Sequence, residues 1–182
     1  AYIALFQEND ETSSSLSWLP IYHDMGLIGG ILEPLYCGHP AWLMSPIDFL
    51  RRPVSWLEAI TMLGSSSSGG PNFAFDLCIR KTTPEQRAAL DLSSWGVAYN
   101  GAEPIRADTL ERFIAAFGPC GFKRESFYPG YGLAEATLVV SGGRRRYLPG
   151  YARLDPAALQ QHRLVASEAG AVVVGCGRAE LG

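Results

Sequence analysis

The stretch SFYPGYGLAEATL, residues 126–138, decides how this chain is read. A short aromatic run leads into Pro129-Gly130, a second glycine follows at Gly132, and a carboxylate, Glu135, stands where a helix is expected to start. A strand ending in such a turn gathers backbone N–H groups and one acid, the grouping that a phosphate and its Mg²⁺ need. Turns of this composition also serve only to reverse a chain, so the surrounding pattern has to carry the assignment.

Outward from that stretch, short apolar runs alternate with amphipathic ones, the pattern of an α/β fold with a mainly parallel sheet flanked by helices. Strands are expected near 41–44 (buried), 65–68, 95–99 and 127–128, with a further short apolar run at 16–19. Residues 24–32 read as a helix in which Gly26, Gly29 and Gly30 permit close packing or ligand approach. Residues 49–62 carry apolar side chains at helical spacing, with Pro53 near the first turn. A helix over 73–80 follows the Gly69-Gly70-Pro71 turn, and Thr83 caps another that begins at Pro84. The clearest amphipathic helix is 106–117, ended by Gly118-Pro119. Composition shifts at Ser141-Gly142-Gly143. The chain is expected to divide into an α/β core over 1–142, a polar surface excursion over 143–170 with one helical hint at 156–162, and the start of a following strand over 171–182.

With 182 residues, 47% hydrophobic and 18% charged, the chain is globular and long enough to bury a core. A net charge of −3 with scattered Lys and Arg argues against nucleic acid as a partner. Arg144-Arg145-Arg146 reads as a solvated loop. The four cysteines are widely spaced, without C-x-x-C, and are expected as free thiols in a reducing cytoplasm. Cys37-Gly38-His39 has the chemistry of a ligand pair, but no second pair completes it, so no metal is expected there. No apolar run reaches the roughly 18 residues of a membrane helix.

Gly64 and Gly69 have the spacing of a phosphate-binding loop, yet Gly70-Pro71 stand where Lys and Ser/Thr are required. G-x-S-x-G, H-E-x-x-H and G-x-G-x-x-G are absent, which disfavours hydrolase, zinc-protease and dinucleotide chemistry. His23 precedes a glycine-spaced helix start, where imidazole could meet an anion; the competing reading is a structural histidine. Asp24 reads as the N-cap. The loop Asn100-Gly101-Ala102-Glu103-Pro104 follows a strand and could present its backbone to the edge of a flat ring, or be an ordinary turn. The His23, Asn100 and Gly130 loops each follow a predicted strand, and so should open on one edge of a parallel sheet.

In order and spacing, SWLPIYHDMGLIGG (17–30), SGGPNFAFDLCIRK (68–81), NGAEPIRADTLERF (100–113) and FYPGYGLAEATL (127–138) resemble segments of the adenylate-forming superfamily, most closely its fatty acyl-AMP ligases. The resemblance implies activation of a fatty acid with ATP and Mg²⁺ to acyl-AMP, then transfer to the phosphopantetheine of an acyl carrier protein. It implies that His23 lies near the reacting carboxylate and that Asn100, Gly101, Ala102 and Glu103 form the adenine loop. Tyr131 would pack on adenine, Gly132 would shape the adjoining turn, and Glu135 would bind Mg²⁺. Ala134 stands where many superfamily members have Thr, as in the fatty acyl-AMP branch, and residues 143–170 fall where that branch has its insertion.

The resemblance also implies a piece of the N-terminal domain, inactive by itself, with a phosphate loop before Ala1 and a catalytic Lys beyond Gly182. The alternatives are a piece of an acyl-coenzyme A synthetase, differing in the acceptor, and a non-catalytic scaffold or binding module.

Overall fold

The computed structural model describes residues 2–177. Helix α1 (Tyr2–Gln7) leads to strand β1 (Ser15–Ser17), a π-helix (Met25–Leu32) that runs on into α2 (Glu33–Cys37), and strand β2 (Ala41–Leu43). Helices α3 (Pro46–Arg51) and α4 (Val54–Leu63) precede β3 (Ser67–Gly69); α5 (Asn72–Lys81) and α6 (Pro84–Ala88) precede β4 (Val97–Asn100). Helix α7 (Ala107–Phe117) returns the chain to β5 (Phe127–Leu133) and its hairpin partner β6 (Leu138–Gly142). Strand β7 (Tyr151–Leu154), α8 (Pro156–Gln160) and β8 (Ala171–Val174) complete the described chain.

One sheet of six strands runs in the order β2-β1-β3-β4-β5-β6. All pairings are parallel except the last, β5 with β6. On one face an aromatic core fills the space beneath α4, α5 and α7, with Trp56, Phe75, Trp95, Phe113 and Phe127 shut off from solvent. Their rings meet mostly edge to face, as at Phe75 and Phe113 with centroids 5.1 Å apart. Across the sheet, Val97 and Tyr128 pack against Phe6 of α1. Alternation along β4 and β5 thus divides their side chains between two layers. The serines of β3 leave room for indole rings: Trp56 donates through Nε1 to Ser68 Oγ at 2.8 Å, and Trp95 to the Ser68 carbonyl at 3.1 Å.

Several expectations need correction. Strand 41–44 is not buried: β2 is the outer strand of the sheet and Leu43 is mostly exposed. The single helix over 49–62 is two helices, because Arg52, which precedes Pro53, leaves the helical region at φ −141° and ψ 79°. The chain does not turn at Pro129-Gly130 but continues as strand through Leu133, and no α-helix starts at Glu135, only the short 3₁₀ turn Ala134–Ala136.

The excursion holds a strand as well as its helix. β7 pairs antiparallel with β8, so a boundary at residue 170 falls between two joined strands. Asp155 caps α8 (Pro156–Gln160), where the helical hint stood, accepting from the Ala158 N–H at 2.7 Å. The Arg144–Arg146 cluster is not simply solvated: Arg144 lies over the Phe6 ring, and the Arg145 N–H donates to the Phe6 carbonyl at 3.1 Å. Residues 178–182, expected to carry the following strand onward, lie outside the described residues. Among the described residues no helix is long and apolar enough to cross a membrane.

Candidate functional site

A cleft of about 230 Å³ opens beyond the carboxyl ends of β1, β4 and β5. Parallel sheets bind ligands at that edge because the loops there can vary without disturbing the core. His23, Asn100, Gly101, Ala102, Tyr131 and Gly132 all line it. The register of β4 with β5 brings them together: Asn100 pairs with Pro129, so the residues that follow each emerge side by side.

Asn100 is almost wholly buried. Its Nδ2 donates to the Gly70 carbonyl at 3.0 Å, while Oδ1 is buried with no hydrogen-bond partner. An orphaned buried acceptor costs on the order of 1–3 kcal/mol. Gly101 has no room for a side chain, since a Cβ there would lie 2.9 Å from the Gly130 carbonyl oxygen. Ala102 holds φ 66°, a left-handed conformation that disfavours side chains and recurs at ligand sites.

β5 runs past the edge of the parallel sheet, and this overshoot raises Tyr131 as a half-exposed ring on the cleft wall. The hairpin slips register between Tyr131 and Gly132, where a Cβ on Gly132 would overlap the Leu138 carbonyl oxygen. Thr137 and Leu138 take φ 55° and 81° to close the turn.

The third wall is the π-helix. Asp24 is its N-cap, accepting from the Met25 N–H at 2.8 Å. It also sits 2.6 Å from His23 Nδ1. His23 Nδ1 also accepts from the Met25 N–H at 3.2 Å, so Nδ1 is engaged within the helix start and Nε2 is the nitrogen left available to a ligand. Gly30 lies against Ser17, where a Cβ would come within 2.9 Å, whereas Gly29 has open space and lines the cleft. The two uses of glycine expected here, close packing and ligand approach, thus fall on different residues. Pro34 has no N–H to offer an α-helix, and the wider spacing just before it, with the Glu33 N–H donating to the Ile28 carbonyl, absorbs the break.

Sequence reasoning missed Glu33, Gln7 and Tyr99, which also line the cleft. Burial raises the Tyr99 phenol well above its ordinary range, so it stays a neutral donor. Glu33 is itself buried, and Asn9 Nδ2 donates to it at 2.9 Å. The signal for Glu33 was an acid inside an otherwise apolar run, 25–37. Glu103 and Glu135 do not line the cleft: both are exposed, Glu135 on the 3₁₀ turn after β5.

The family model of AMP-binding enzymes matches residues 2–177. The chain is 48% identical over 157 residues to the medium-chain-fatty-acid–[acyl-carrier-protein] ligase TtuA of Teredinibacter turnerae, covering 86% of this chain and 24% of that protein. It is 51% identical over 156 residues to the ligase JamA of Moorena producens, named for the same reaction, covering 85% of this chain and 26% of that protein. The chain therefore spans about a quarter of the length of these relatives. Among solved structures, the fatty acyl-adenylate ligase of Legionella pneumophila in complex with acyl adenylate and pyrophosphate superposes with a TM-score of 0.92 at 44% identity, over 96% of this chain and 31% of that one. The chain belongs to the AMP-binding enzyme family, and within it is similar to the fatty acyl-AMP ligases.

Proposed function

We propose that the chain supplies the adenine and acyl walls of a fatty acyl-AMP ligase, which joins a fatty acid to ATP and then acylates the phosphopantetheine thiol of a carrier protein. The observation that carries this reading is Asn100 Oδ1, a buried acceptor without a partner, on a cleft that also presents the Tyr131 ring. The exocyclic amino group of adenine would donate to that oxygen while its flat face lies on Tyr131. Gly101, Ala102 and Gly132 keep the backbone close enough for the ring to enter, and Glu103 lies at the outer end of the same loop.

In the reaction the fatty-acid carboxylate attacks the α-phosphorus of ATP, forming the acyl–phosphate bond as the bond to pyrophosphate breaks. Catalysis is then positioning and charge neutralisation. His23, oriented by Asp24, would offer Nε2 beside the reacting carboxylate. Glu135 fits a Mg²⁺ ligand: an exposed hard oxygen donor with space for water and phosphate oxygens. Bound there, Mg²⁺ would offset the negative charge of the triphosphate. Ala134 brings no hydroxyl to the α-phosphate, so that contact falls to another group.

The carrier thiol as acceptor is supported by Ala134 and by residues 143–170, which stand where the fatty acyl-AMP branch has its insertion. A reducing, cytoplasmic compartment is supported by the four cysteines, all free thiols.

Calorimetry on the intact protein with a non-hydrolysable acyl-adenylate analogue tests the adenine wall. Binding that Gly101→Trp abolishes is the expected result. Binding indifferent to that substitution overturns the assignment, as does no binding at all. Acylation assays with holo-carrier protein and with coenzyme A test the acceptor, and efficient thioester formation with coenzyme A would overturn the carrier reading.

A further inference from the structure

Behind the cleft, where α2 ends and β2 begins, three side chains of different chemistry converge. Glu33, Cys37 and His39 each bring one ligand atom to within 4.8 Å of the others. Cys37-Gly38-His39 is the pair that lacked a complement in the sequence, and the third member comes from one turn earlier on the same helix. Gly38, at φ 77°, turns the chain so that residues 37 and 39 flank one point.

The protonation pattern marks this cluster as more than a packed polar contact. His39 Nδ1 lies 3.1 Å from the Pro40 carbonyl oxygen, which has only lone pairs to offer, so Nδ1 carries the proton. Nε2 then presents a lone pair. It is fully buried, has no hydrogen-bond partner, and stands 3.5 Å from Glu33 Oε2, another lone-pair atom. Two acceptors facing each other in a dry site call for a cation between them. A second proton on the imidazole would meet that need, and so would a metal ion.

Geometry and donor type favour the metal. Tetrahedral Zn²⁺ with ordinary bond lengths holds its N, O and S ligands about 3.3–3.6 Å apart. His39 Nε2 to Glu33 Oε2, at 3.5 Å, falls in that range, and Cys37 Sγ sits 3.3 Å from the other carboxylate oxygen, Oε1, so the carboxylate stands between thiol and imidazole. The outer partners that orient zinc ligands are also in place: the Pro40 carbonyl on the imidazole and Asn9 Nδ2 on the carboxylate at 2.9 Å. Thiolate, imidazole and carboxylate together suit Zn²⁺ and exclude a site built for Mg²⁺, which takes oxygen ligands.

We propose that Glu33, Cys37 and His39 form a zinc site, with the fourth position open to water. Binding replaces the Cys37 thiol proton, which leaves to solvent, and joins the end of α2 to the start of β2. Because Glu33 also lines the cleft, the ion fixes the carboxylate at its base. The site is separate from the proposed Mg²⁺ ligand Glu135 and does not depend on the adenylate reading.

Co²⁺ added to the intact, metal-stripped protein is the probe. The expected result is one Co²⁺ per chain, with tetrahedral visible bands and a near-ultraviolet thiolate-to-cobalt band that Zn²⁺ displaces. Cys37→Ser should remove the thiolate band. His39→Gln and Glu33→Gln should each weaken affinity by more than the roughly 10–100-fold typical of losing an outer partner. Cys120→Ser should change neither. Far-ultraviolet circular dichroism of each variant separates loss of a ligand from loss of the fold. A thiolate band that survives Cys37→Ser, one that disappears in Cys120→Ser, or a folded wild type with no tetrahedral Co²⁺ spectrum would each overturn the proposal.

Discussion

Asn100 holds Gly70 through an Nδ2–H bond of 3.0 Å to its carbonyl, and that bond decides which end of the amide is left over. With one N–H of Nδ2 committed to Gly70, the amide is turned so that Oδ1 is its unpartnered buried atom, facing whatever occupies the cleft. A structural bond thereby sets a recognition polarity, favouring a ligand that donates. Asn100→Asp keeps the acceptor and removes the donor; Asn100→Ala removes both. Asn100→Ala is expected to lower stability by about 0.5–1.5 kcal/mol through the lost Gly70 bond, and Asn100→Asp by more, because its carboxylate is buried against the Gly70 carbonyl oxygen. In calorimetry with the adenylate analogue, only Asn100→Ala should also lose the ligand contact, so the Ala variant should bind more weakly than the Asp variant. The reverse order would show that Oδ1 does not meet the ligand.

The glycines of the π-helix separate packing from access. A Cβ at Gly26 would lie 2.1 Å from the Pro20 carbonyl oxygen, whereas one at Gly29 would meet nothing within 4 Å. Gly26→Ala is expected to destabilise the intact protein by about 1–3 kcal/mol. Gly29→Ala should leave stability equal or higher, because alanine is the better helix former by about 1 kcal/mol. Thermal or denaturant unfolding checks both. Since Gly29 lines the cleft, larger substitutions there should weaken the adenylate analogue without a matching loss of fold.

The β7–β8 hairpin is latched to α7 by a charged group. Tyr151 donates its hydroxyl to Glu111 Oε1 at 3.1 Å, and Arg124 bonds the same carboxylate. The Arg124 guanidinium, foremost, holds the Glu111 carboxyl below its ordinary value. A lowered folded pKa means the unfolded chain binds the proton first. The stabilisation is therefore complete above the ordinary glutamate range and is lost as pH falls through the folded value. Protection of the β8 amides from hydrogen exchange, taken relative to the intrinsic rate at each pH, should fall on acidification below about pH 4.5, and Glu111→Gln should flatten that dependence. Equal pH dependence in the variant would assign the latch elsewhere.

The surface of residues 143–170 leads to a prediction about the acceptor. Tyr147 and Leu148 are 68% and 64% exposed, so they contribute little to the core. If this segment restrains the rest of the protein through apolar docking, Tyr147→Ser with Leu148→Ser should leave adenylation intact and raise acylation of coenzyme A. Removing the whole segment would be a poorer test, because β8 would lose its pairing partner β7. Intact adenylation with no gain toward coenzyme A would show that these side chains do not gate the acceptor.

Helices α6 and α7 and their limits were legible because their causes are local. Thr83 and Pro84 start α6 with a full capping box, and the apolar stripe of α7 buries Leu110, Phe113 and Phe117 as its spacing implies. Most of the cleft was legible as well. His23 follows β1, Asn100 ends β4 and Tyr131 lies where β5 overruns the parallel sheet, and parallel pairing sends strand ends to one edge. What chain order could not contain was the register and reach of those strands. Pro129 and Gly130 have the chemistry of a turn, yet pairing of Pro129 with Asn100 of β4 and of Gly130 with Gly142 of β6 holds them extended and carries Tyr131 onto the cleft wall. Burial of residues 41–43 depended on sheet position, and β2 lies at the sheet's edge, where half its surface meets solvent. Glu33 gave only a faint local sign of its importance. Its environment comes from Asn9, 24 positions away, and from the turn at Gly38 that returns His39 to it, contacts that exist only once the chain has folded.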